Sequence, residues 1–164
     1  MITYKEFQIK VMANVFKKIN DNIFEPSLYM LTKENRNKIG PLPVEIFEQK
    51  VVIANICKEM NALAGSKYCC FVSECNFTKI DKEQCDKIGI DFDNFDQSNM
   101  TTEEAEKLRS LSVEALVFNF ESLTDPAHLN LFKFIDGQYL PVAELAQENQ
   151  IEDIKSVFSN LLCK

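Results

Sequence analysis

Three short runs in the C-terminal half constrain this chain most. Residues 113–122 (VEALVFNFES) read as a strand, and the two halves of LNLFKFIDGQYLPV carry the apolar-polar alternation of half-buried strands. Asp136-Gly137 divides the second stretch, a strong hairpin signal because both turn residues take positive φ. Strands that follow one another over such short connections pair antiparallel. Within 113–122, Val113, Ala115, Val117 and Asn119 share one face, and Glu114, Leu116, Phe118 and Phe120 the other.

The rest of the chain supplies helices and two more strands. Thr3 and Glu6 have capping-box spacing, and Phe7, Val11, Val15 and Ile19, with Met12 and Phe16, recur at helical intervals. This predicts a helix over about 4–19, stopped at Asn20-Asp21-Asn22. Residues 24–32 read as a strand whose Pro26 points to an edge position or a late start of its ladder. KENRNKIGPLP reads as a connection, broken by Gly40, Pro41 and Pro43. A second helix is expected over about 45–64, with Gly65 as its left-handed cap. Residues 67–75 (KYCCFVSEC) read as an interior strand. Thr101 and Glu104 cap a short helix near 102–108, Asp125-Pro126 reads as a turn or the start of one helical turn, and a last helix is expected over about 150–162. The expectation is an α+β fold, an antiparallel or mixed sheet of four to five strands with about four helices packed on it.

At 164 residues with 46% apolar side chains, one domain spanning 1–164 can bury a core without a staple. No apolar run approaches the length of a membrane span. MITYKEFQIK lacks a basic stretch followed by an apolar one, so no secretory signal and a cytoplasmic location are expected. The six cysteines then read as buried thiols rather than bridges. The formal charge is −7 and unevenly spread. Residues 1–73 hold 10 basic and 7 acidic side chains, residues 74–106 hold 3 and 10, and residues 107–164 hold 5 and 8. This acidity argues against direct nucleic-acid binding, which needs a basic surface.

The catalytic and metal motifs are thin. His128 is the sole histidine, so any Cys-His or Ser-His chemistry must use it, with Cys69, Cys70 or Cys75 as partner thiol. Glu74 and Glu121 near strand ends would be the acid-base pair of a cleft. Zinc at Cys69, Cys70, Cys75 and Cys85 is disfavoured, because adjacent strand cysteines point to opposite faces. An EF-hand starting at Asp91 fails at three positions, where the chain has Phe95, Asp96 and Thr102. The four glycines are dispersed, so no phosphate-cradling loop is present. No cofactor and no metal are expected.

The acidic stretch is the most informative polar feature. Phe92 and Phe95 alternate with Asp91, Asp93 and Asp96, and Glu103 and Glu104 follow. The plain reading is a solvated loop pinned to the core by its rings. The sharper reading is a recognition surface, in which aromatics supply contact area and carboxylates steer a basic partner.

Tyr29-Met30-Leu31-Thr32, Pro41-Leu42-Pro43 before a helix and Phe71-Val72-Ser73-Glu74 closing the next strand give Phe24–Cys75 a resemblance to small uncharacterised α+β proteins of bacteria, phages and mobile elements. The resemblance implies no activity. The expectation is an inhibitor- or immunity-like interaction module that binds a protein, such as the basic surface of a nucleic-acid-binding protein, through residues 81–104. The alternatives are a small enzyme using His128 with Cys75 or Glu74, and a homo-oligomeric assembly protein, a homodimer included.

Overall fold

The computed structural model describes residues 1–43, 49–78, 80–96, 99–142 and 161–162. Among them are helices α1 (Tyr4–Asn20), α2 (Lys50–Ala64), α3 (Lys82–Ile88) and α4 (Thr102–Ser110). The strands are β1 (Ser27–Thr32), β2 (Asn37–Pro41), β3 (Ser66–Phe77), β4 (Val113–Ser122), β5 (His128–Ile135) and β6 (Gln138–Pro141). They form one antiparallel sheet in the order β2-β1-β3-β4-β5-β6. The fold is α+β, as expected, but with six strands rather than four to five.

The strand that sequence reading overlooked is β2. Asn37-Lys38-Ile39-Gly40-Pro41 has neither alternation nor β-branched density, and it is a strand because a hairpin delivers it to β1. Asn35, at φ 60°, supplies the left-handed turn residue. With β2 outside it, β1 is interior and wholly buried, so Pro26 marks a late ladder start and not an edge.

Among the described residues, α1 packs on one face of the sheet and α2 on the other. On α1, Phe7, Val11 and Val15 recur every four residues and bury against Tyr29, Leu31, Cys70, Val72, Leu116, Phe118 and Phe120. The Thr3–Glu6 capping box holds the first turn, with the Glu6 amide donating to Thr3 Oγ1 at 3.2 Å. Aromatic rings fill this layer, Phe16 meeting Phe132 edge-on at 5.1 Å and Phe118 stacking on Phe120 at 6.0 Å. On the other face α2 buries Ile53, Ala54 and Cys57 against Leu28, Met30, Cys69 and Phe71. Gly65 ends α2 in the left-handed conformation at φ 62°. A Cβ at Gly40 would meet the end of the flexible Met60 side chain, which would have to move aside.

The expected C-terminal helix lies outside the described residues apart from Leu161 and Leu162, which are buried in the α2 layer. Two buried polar side chains hold their backbone. Asn61 Nδ2 donates to the Leu161 carbonyl at 3.1 Å, and Leu162 N–H donates to Glu121 Oε2 at 3.0 Å. Asn61 is 2% and Glu121 6% exposed. Glu121 spends a carboxylate oxygen on the tail and Asn61 its amide nitrogen, as buried polar groups require, while Asn61 Oδ1 is buried without a partner.

Candidate functional site

Every residue nominated for partner binding falls in one appendage inserted between β3 and β4. It consists of α3, a 3-10 turn at Phe92–Asn94 and α4. Its small core of Cys85, Ile90 and Leu108, with Ile80, Ile88 and Phe95 packed around them, is separate from both sheet layers. Sequence reading missed α3. Its signal is the bracket of Asp81, which accepts from the Gln84 amide at 2.9 Å, and Gly89, left-handed at φ 71°.

Most of the nominated carboxylates have local duties. Asp91 caps the 3-10 turn, accepting from Asn94 Nδ2 at 2.6 Å and from the Asp93 amide at 3.2 Å. The Asn94 amide, and then the turn's backbone N–H groups, hold the Asp91 carboxyl below the usual carboxylate range. Glu104 closes the α4 capping box, accepting from the Thr101 amide at 2.7 Å. Asp93 pairs with Lys82 at 3.4 Å, and Glu103 with Lys107 at 2.7 Å. The Lys107 hydrogen bond and charge lower the Glu103 pKa. Asp96 accepts from Asn99 Nδ2 at 2.8 Å. The two rings part ways. Phe95 packs on the small core, whereas Phe92 is 39% exposed between Asp91 and Asp93.

The alternative catalytic set is dispersed. Glu74 and His128 share the α1 face of the sheet but pair with Leu116 and Phe120, four residues apart on β4. At roughly 3.4 Å per residue that spacing is about 13 Å. Cys75, next along β3 from Glu74, points to the opposite face, and burial raises its pKa. Glu74 and Glu121 also lie on opposite faces, so they do not form an acid-base pair. Glu74 instead flanks Tyr139, whose hydroxyl donates between Glu74 Oε1 at 3.4 Å and Glu114 Oε1 at 3.3 Å. Burial, and then the two carboxylates, push the Tyr139 pKa up.

Cys69 lies in the α2 layer and Cys70 in the α1 layer, so the adjacent thiols cannot bind one ion. Among the described residues, no three His, Cys, Asp or Glu side chains group as a metal site, and no helix is long and apolar enough to cross a membrane. Comparison with protein-family models, curated proteins and solved structures finds no match to this chain.

Proposed function

We propose that this protein is an interaction module of the inhibitor or immunity type, docking a basic protein surface through the α3–α4 appendage. The observation that carries the reading is the exposed Phe92 ring set between two carboxylates, on an element with its own core. An exposed ring flanked by carboxylates combines a contact anchor with long-range steering. The basic surface of a nucleic-acid-binding protein fits this chemistry, with carboxylates standing where phosphates would.

The local duties of Asp91 and Glu104 dictate how to test it, because reversing either removes a cap as well as a charge. A photo-crosslinking residue at position 92, in cells of the native host, should trap a basic protein that the same probe at Leu63 does not. Leu63 is 88% exposed on α2 and serves as the control. Phe92→Ala with Asp93→Lys and Glu103→Lys should then weaken that complex and flatten its salt dependence, with the melting curve retained. Identical products from both probe positions, or undiminished binding by the triple variant, reject the reading.

A further inference from the structure

The order of the sheet ends on β2, and the outer edge of that strand borders a groove. Thr32 N–H bonds to the Arg36 carbonyl at 3.0 Å, and Leu42 N–H to the Pro26 carbonyl at 3.0 Å. With the β1–β2 register, these bonds make the even-numbered residues of β2 the ones turned toward β1. The N–H and C=O groups of Asn37 and Ile39 therefore point away from the sheet. Pro41 shares their phase and has no N–H, so the edge offers two donors.

The side chains of Asn37 and Ile39 lie on the α1 face, opposite Leu31 and Tyr29. There a cavity of about 190 Å³ opens between α1 and the strand edge, lined by Phe7, Val11, Tyr29 and Ile39 and bordered by Lys10 and Lys38. A cavity of roughly 150 Å³ accommodates a benzene ring, so this one has room for one large apolar side chain. Lys18 adds a third cation, 5.5 Å from the Tyr29 ring centroid. Among the described residues no carboxylate lines the cavity, in a chain of net charge −7. Lys38, on the even phase, stands on the opposite face of the same edge. Glu34 in the preceding turn lies near Arg36 and Lys33, and Glu6 near Lys10, which leaves Lys38 as the cation to test.

We infer that the β2 edge is a docking site for an extended, acidic segment of a partner protein, which adds to the sheet as a further strand. Its backbone pairs with Asn37 and Ile39. Alternate apolar side chains enter the α1 groove, and the intervening carboxylates meet Lys38 on the opposite face. A second copy of β2 is the poorer occupant, since it would bring Lys38 of each chain to the same edge. This surface is independent of the α3–α4 appendage.

The test titrates a synthetic peptide of alternating glutamate and valine into the isotope-labelled protein, followed by amide NMR. The expected result is saturable shifts at Asn37 and Ile39 with slowed exchange of both amides. Binding should weaken about fivefold in Lys38→Glu, and disappear when alternate peptide nitrogens are methylated in the pairing phase. Lys38 is exposed, and the variant's own amide spectrum reports that its fold is retained. Equal binding of a lysine–valine peptide, shifts confined to α3 and α4, absence of saturation, or a peptide-independent dimer through β2 would each overturn the inference.

Discussion

Truncating Leu108 to alanine should open the α3–α4 appendage while leaving the sheet closed. Leu108 is one of three buried residues in that small core, alongside Cys85 and Ile90. Its helices have 7 and 9 residues, shorter than the roughly 12–15 that make an isolated helix even marginal. Their helicity therefore depends on the shared core. Leu→Ala at a buried site costs about 2–4 kcal/mol in lost transfer energy and residual cavity. At about 1.4 kcal/mol per decade that is a roughly 30- to 700-fold rise in the local opening equilibrium. Residue-resolved hydrogen exchange reads it directly. The amides of Cys85, bonded to the Asp81 carbonyl, and of Ala105, bonded to the Thr101 carbonyl, should exchange faster by that factor. Amides of Phe71 and Phe118, in interior strands, should keep their protection. Lys107→Ala, which removes only an exposed ion pair, should change the same rates by less than about fivefold. Parallel loss of protection at Phe71 and Phe118, or no change at Cys85 and Ala105, would refute the separation of the two cores.

Two further outcomes follow from buried groups. Burial raises the Cys57 thiol from 9.0 to about 12. The folded state thus keeps the proton that the unfolded chain releases, so stability is whole below pH 9 and declines as pH rises toward 12. Alkylation mapped by mass spectrometry should accordingly label the half-buried Cys75 well before Cys57, Cys69, Cys70 or Cys85. Rapid labelling of Cys57 at neutral pH would contradict the packing. At the tail, Glu121→Leu removes the acceptor of Leu162 N–H and should cost about 1–3 kcal/mol, a fall in Tm of about 3–10 °C. Unchanged protection of the Leu162 amide would show that the carboxylate does not hold the tail.

Elements with a local code are legible in this sequence. β4 spans the run 113–122, with Leu116, Phe118 and Phe120 together on the α1 face, because the two-residue period of a strand puts them on one side. α1 is legible from its capping box and four-residue spacing, and the Asp136-Gly137 turn from its left-handed demand, met at φ 49° and 81°. β2 is not, because it owes its state to the partner strand. α3 escapes for a different reason. A seven-residue helix with one buried side chain has too little apolar periodicity to stand out against its charge, although Asp81 and Gly89 mark its ends. The site divides in the same way. That the acidic residues belong to one segment is readable from spacing, whereas the separation of exposed Phe92 from packed Phe95 is a product of the small core. The dispersal of His128, Cys75 and Glu74 follows from register, which no single strand contains.

The place where the appendage leaves the sheet bears on how the chain finds its fold. Phe77 and Val113 are ladder partners, so the whole insert is a closed loop tied off at its neck by the β3–β4 pairing. The longest ladder in the molecule must therefore close over a long intervening segment before it can zip. Closure entropy rises by about 0.6 kcal/mol for each doubling of loop length, so replacing the insert with a two-residue turn, roughly four doublings shorter, would recover about 2.5 kcal/mol. It would also convert the central pair of the sheet from a distant contact into a local one, and low contact order is what makes two-state domains fold quickly. The insert thus sets one of the long closures of the sheet, comparable to that of β1 on β3 between Thr32 and Ser66. Its early collapse onto Cys85, Ile90 and Leu108 would draw Phe77 and Val113 together and nucleate the sheet from its middle.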